Sequence, residues 1–108
     1  DITTLDDLIE EYGNPKFIKI DVEGFEHEVL LGLTKKSGII SFEFASEFIE
    51  NAFESIDYLV SLGYSDFNYS LGERRKFYTN WANANIIKEN IKKNIIEDSL
   101  LWGDFYCK

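Results

Sequence analysis

Apolar residues recur along the chain at two periods, and the switches between the periods mark an alternation of helices and strands. Thr4, with Asp7 three places on, makes "TLDD" read as a capping box. Leu5, Leu8, Ile9 and Tyr12 then follow at helical spacing until Gly13, Asn14 and Pro15 end the run. In "KFIKIDV", residues 16–22, the β-favouring Phe17, Ile18, Ile20 and Val22 occupy both faces, as in a strand covered on both sides. Gly24 breaks that strand, and Val29, Leu30 and Leu33 form the stripe of a short helix over residues 25–33. "GIISFEF", residues 38–44, is the second strong strand. Ser46 is the expected cap of a helix over residues 47–62, whose apolar face is Phe48, Ala52, Ile56, Leu59 and Val60 and which Gly63 stops. "YSDFNYS", residues 64–70, alternates as a strand. Residues 71–84 are irregular, apart from a short strand around "KFYTNW". Ile87, Ile91 and Ile95 mark a helix over residues 85–97, and "WGDFYCK" closes the chain as a strand.

Strands separated by helices need crossover connections, which predicts an α/β fold with a mainly parallel sheet of about four strands. The first two strands are the most apolar and are expected at the centre of the sheet. "WGDFYCK" is the most polar and is the expected antiparallel member. No internal repeat, linker or low-complexity run divides the chain.

Composition sharpens the picture by exclusion. With 108 residues and 44% of them hydrophobic, the chain has the size of one domain and the material for a core. Eleven basic residues against twenty acidic ones give a formal charge of −9. That balance repels nucleic acid and anionic membrane surfaces, so neither is expected as a partner. One cysteine cannot form an internal disulfide. No apolar run approaches a membrane span and no signal peptide opens the chain, so a cytoplasmic location is expected. The chain begins at Asp1 and contains no methionine, which suggests a processed protein or a piece of a longer one.

The seven glycines form neither a dinucleotide fingerprint nor a phosphate loop, and no zinc, EF-hand or nucleophile-elbow motif occurs. The informative segment is Ile20-Asp21-Val22-Glu23-Gly24. Its two carboxylates, at i and i+2, share one side of a strand's carboxyl end, where ligands bind in open α/β sheets. Either they cap the next helix through its N–H groups, or at least one of them serves a ligand or a reaction, because burying an unpaired carboxylate is costly. Glu43, between Phe42 and Phe44, repeats the pattern and would face the same crevice if the two strands are neighbours. His27, the only histidine, lies one turn beyond. A base or a metal ligand is one reading, and a solvent-facing helical position is the preferred one. Asn68 and Tyr69 either line the crevice or serve the core. Cys107 reads as a packing residue, and Arg74, Arg75 and Lys76 read as a solvated loop.

"TTLDDLIEEYGNPKFIKIDVEGFEHEVLLGL" resembles the FkbM family of S-adenosylmethionine-dependent methyltransferases, above all in "IKIDVEGFE". The later "SFEF", "LGYSDFNYSLGE" and terminal "WGDFY" are similar to the family's C-terminal part. The resemblance implies a Rossmann-like sheet in the order 3-2-1-4-5-7-6 with helices on both faces and strand seven antiparallel. "KFIKIDV", "GIISFEF", "YSDFNYS" and "WGDFYCK" would be strands four, five, six and seven. It implies transfer of a methyl group to a hydroxyl of a sugar or secondary metabolite. Asp21 would lie near the methionine end of the cofactor, and Gly24 would let the chain turn there. Glu23 would orient or deprotonate the acceptor, and Glu43 would be the acid of strand five at the crevice. His27 falls outside the family pattern.

The family's glycine-rich loop and the acid that holds the ribose have no counterpart in residues 1–108. The expectation is therefore a single partial domain: the acceptor half of a methyltransferase, inactive alone, with S-adenosylmethionine bound only in the intact parent. The first strand would then expose an apolar edge through which the chain could self-associate. The expected partner is a small-molecule or glycan acceptor, and no bound metal is expected. Two rival readings use the same residues. One is a non-catalytic α/β binding module, and the other is a metal-dependent enzyme built on Asp21, Glu23 and Glu43.

Overall fold

The computed structural model describes residues 4–20, 26–72, 80–97 and 99–108. Its elements run α1 (Leu5–Tyr12), β1 (Phe17–Ile20), α2 (Glu26–Leu30), β2 (Ile39–Ala45), α3 (Ile49–Ser61), β3 (Phe67–Leu71), α4 (Ala84–Glu97) and β4 (Trp102–Cys107), with a 3-10 turn over Ser46–Phe48 leading into α3. The alternation of helices and strands is the one the periodicity predicts.

The capping box forms as read. The Thr4 side chain accepts from the Asp7 N–H at 3.1 Å, and the Asp7 carboxylate accepts from the Thr4 N–H at 3.3 Å. Ser46 does not cap α3. Its hydroxyl donates to the Ser99 carbonyl at 2.5 Å, tying the end of β2 to the turn before β4, and α3 starts three residues later without a side-chain cap. Phe48 and Val60, expected on the buried face of α3, are exposed, because the true stripe is Ala52, Ser55, Ile56 and Leu59.

The four strands form one sheet in the order β1-β2-β4-β3. β1 and β2 are parallel, with Ile18 opposite Ile40 and Ile20 opposite Phe42. β4 runs antiparallel to both of its neighbours, as its polarity predicts. This order reproduces the four-five-seven-six half of the sheet that the family resemblance implies. It corrects the position read from hydrophobicity alone: β1 lies at an edge, and only β2 of the first two strands is interior. Phe17 is accordingly half exposed. The short strand expected around residues 76–81 falls largely outside the described residues, but Ala82 pairs with Phe67 as an isolated bridge.

Strand alternation sorts the sheet into two faces. Ile18, Ile20, Ile40, Phe42, Phe44, Phe67, Tyr69, Phe105 and Cys107 share one face and join a single core with Ile56 and Leu59 of α3 and Ile87 and Ile91 of α4. Phe105 packs between Phe42 and Phe44, with ring centroids 5.4 and 4.3 Å away. Such pairs add about 0.5–1.5 kcal/mol each beyond the area they bury. Gly103 completes this face by having no side chain: a Cβ there would land on the Ser70 carbonyl of β3. The opposite face is polar, carrying Lys19, Ser41, Glu43, Asp104, Tyr106, Asn68 and Ser70. Lys19 of β1 reaches across β2 to Asp104 of β4 at 2.7 Å.

The segment before β2 is held by two tyrosines, Tyr64 buried and Tyr58 partly so. Tyr64 accepts from the Ser37 N–H at 3.0 Å and donates toward the Ser37 and Gly38 carbonyls at 3.1 and 2.9 Å. Burial pushes its hydroxyl above the usual phenol range. Tyr58 donates to the Leu33 carbonyl at 2.6 Å. The position and orientation of β2 are thereby fixed relative to α3, and with them the carboxyl end where the candidate site lies.

Candidate functional site

A cavity of about 320 Å³ opens where the carboxyl end of β2 meets α2 and the start of α3. Its wall mixes aromatic side chains (Phe42, Phe44, Phe48) with polar ones (His27, Glu43, Glu47, Asn51, Ser55). The volume falls at the lower end of ligand pockets, and an apolar wall carrying a few polar groups is their usual build. The place matches the rule for open α/β sheets, whose ligands bind beyond the carboxyl ends of strands.

Each helix contributes through its own periodicity. Asn51, Ala52 and Ser55 recur at the three- and four-residue spacing of one helical face, which turns them toward α2. His27 comes from the first turn of α2, and its ring meets the Tyr58 ring edge-on at a centroid distance of 6.5 Å. The His27 Nδ1 lies 3.4 Å from the Ser55 hydroxyl, and the Glu54 carboxylate lies 3.8 Å from Nε2. His27 is therefore no solvent-facing histidine, as a helical surface position would suggest: its side chain is only 24% exposed. The readable signal was Ser55, a lone polar residue in the middle of the apolar stripe of α3.

Of the acids singled out by sequence, Glu43 lines the cavity. Its strand position sets it on the polar face of the sheet, opposite Asp104 in register. Asp21, Glu23 and Gly24 lie outside the described residues. Asn68 and Tyr69 lie elsewhere, in mid-strand on β3 and fully buried. Tyr69 faces the helices, where its hydroxyl accepts from the Asn94 amide at 3.0 Å, and the Asn68 side chain accepts from the Tyr69 N–H at 2.8 Å. Alternation sends them to opposite faces of the sheet, and neither lines the cavity. Cys107 is buried, and burial pushes its thiol up to about 12, so it stays protonated and inert.

Among the described residues, no three His, Cys, Asp or Glu side chains group as metal ligands, and no helix is long and apolar enough to cross a membrane. Among the described residues, the cavity lining includes Glu43 and Glu47 and no Lys or Arg. Chemically it suits a neutral group rich in hydroxyls or a cationic one, with hydrogen-bonding side chains beside aromatic ones.

Comparison with known proteins adds the family. No curated protein and no solved structure matches the chain. The model of the methyltransferase FkbM domain matches residues 1–71, which take in α1 through β3 and the cavity described above; the terminal "WGDFY" lies beyond the match. The chain belongs to the FkbM methyltransferase family.

Proposed function

We propose that the protein takes part in methylating a hydroxyl group of a sugar or secondary metabolite, with S-adenosylmethionine as donor. The observation that carries this reading is the cavity at the carboxyl end of β2. Its polar residues include both hydrogen-bond donors and acceptors and its walls are aromatic, a lining suited to an uncharged polyhydroxylated acceptor.

The cavity residues do not fit the donor as a whole. Among the described residues, the cavity lining offers the donor's methionine carboxylate the acid Glu47 and no Lys or Arg. The described residues are acceptor machinery: they bind the acceptor, orient it and handle its proton. Glu43 helps to orient the acceptor. Of the residues outside the described ones, Glu23 is assigned to the acceptor hydroxyl, and Asp21 and Gly24 are assigned to the donor.

A transfer assay with methyl-labelled donor tests the reading, run on neutral hydroxylated acceptors and on the same acceptors carrying a phosphate. Label on the hydroxyl oxygen of the neutral series supports it. Label on nitrogen or carbon, or transfer only to the phosphorylated series, would refute it. Glu43→Gln should lower transfer by about 10-fold or more, since misplacing a substrate by about 1 Å can cost about 10²-fold.

A further inference from the structure

We infer that His27 is the base that removes the proton from the acceptor hydroxyl, with Ser55 setting its tautomer. The inference rests on the methyl-transfer reading above and deepens it, by giving a catalytic role to a residue outside the family pattern.

The hydrogen-bond geometry decides which ring nitrogen is free. The Ser55 hydroxyl has one proton, which it donates to the Asn51 carbonyl at 3.0 Å. Toward the His27 Nδ1, at 3.4 Å, the same oxygen can then only accept. The ring proton therefore resides on Nδ1, and the lone pair of the neutral imidazole resides on Nε2. That is the less common tautomer of a free imidazole, so something must hold it, and Ser55 is fully buried and fixed on the interior face of α3.

Nε2 is left available. Among the described residues, the carboxylate beside it is that of Glu54, 3.8 Å away and too far for a hydrogen bond. Tyr58 of α3 holds the ring edge-on, and Glu43 and Glu47 are the other titratable groups on the cavity wall. A hydroxyl seated there gives its proton to Nε2. The O–H bond breaks with its electron pair staying on oxygen, and the Nε2 lone pair forms the new N–H bond. The imidazolium later releases the proton to water through its exposed edge.

His27 is the only histidine in these 108 residues, so its ring nitrogens give one set of signals in a long-range 1H–15N correlation spectrum. The expected spectrum of the neutral ring shows the Nδ1–H form, and Ser55→Ala should convert it to Nε2–H. This readout needs neither donor nor acceptor. In the transfer assay, His27→Gln should lower turnover by about 10²–10⁴-fold, and Ser55→Thr, which keeps the hydroxyl, should keep both the tautomer and the rate. An Nε2–H form in the unmutated protein would overturn the assignment. So would a His27→Gln protein that turns over within twofold of the parent. Absence of transfer to any hydroxyl would instead bring down the functional reading, and the base role with it, whatever the tautomer.

Discussion

β1 and β2 lie side by side, parallel and in register, and their sequences are almost equally apolar, yet the sheet treats them differently. Ile40, Phe42 and Phe44 of β2 are at most 3% exposed, whereas Phe17 of β1 is 50% exposed and Ile18 only partly buried, leaving Ile20 as its one buried residue. The cause is position. β2 has a hydrogen-bonded neighbour on each side and α3 above it, while β1 has β2 on one side and no described residue pairing with the other. An apolar run shows that a strand forms. The order of strands decides how much of that run is buried.

The sharpest way to break this comparison is to truncate one aromatic residue from each strand. Phe42→Ala removes a side chain that packs on Phe105 and should cost ~3–5 kcal/mol. Phe17→Ala removes a half-exposed one and should cost no more than about 1 kcal/mol. Chemical denaturation measures both, and equal losses would mean that β1 is as interior as β2. The second test moves to the opposite end of the sheet. Gly103→Ala sets a methyl group against the Ser70 carbonyl. Because that neighbour is backbone, β3 and β4 must part, at a cost of ~1–3 kcal/mol.

A pH titration adds a smaller effect on the same side of the molecule as β1. The Asp6 carboxylate accepts from the Thr34 hydroxyl at 2.5 Å and the Thr34 N–H at 2.9 Å, which docks α1 onto the segment before β2. Those bonds, the hydroxyl first, hold its pKa below the ordinary 3.8. A carboxyl depressed in the folded state stabilises the fold at pH above its unfolded value, and that contribution disappears as pH falls through the folded value. Stability should therefore drop as acid is added below about pH 4, and the Asp6→Asn protein should show a shallower drop over that window in acid denaturation curves.

The elements were legible because local signals agree with the global fold. The Thr4 and Asp7 capping box, the Ile87–Ile91–Ile95 stripe and the polar last strand all act within a few residues of themselves, and all form as read. What failed depends on distant chain. The hydrophobicity around Phe17 does not show that β1 is an edge; only the family resemblance led to that expectation. Nothing near Asn68 and Tyr69 reveals that β4 stands between them and the cavity and buries both. Ser46 has the composition of a cap, but its hydroxyl is taken by Ser99, fifty-three residues away. The cavity divides in the same way. Glu43 was legible from strand alternation, whereas His27 was not, because its meaning comes from Ser55 and Glu54 on another helix.

The smallest expected effect bears on β1 most directly. Lys19 is the one polar residue of that strand, and its ammonium passes over β2 to meet Asp104 at 2.7 Å. The pair ties the edge strand to a strand it does not touch in the sheet order. Its side chains are 44% and 23% exposed, so solvent screens the attraction and the coupling should be about 0.2–1 kcal/mol. A double-mutant cycle of Lys19→Ala and Asp104→Ala isolates that coupling from the loss of each side chain alone. It should shrink when the cycle is repeated at ~1 M salt, where the screening length falls to about 3 Å. If the coupling is instead large and indifferent to salt, Lys19 is buried in solution and β1 is covered on its polar face. The contrast between β1 and β2 would then be one of hydrogen-bonded neighbours alone and no longer of exposure.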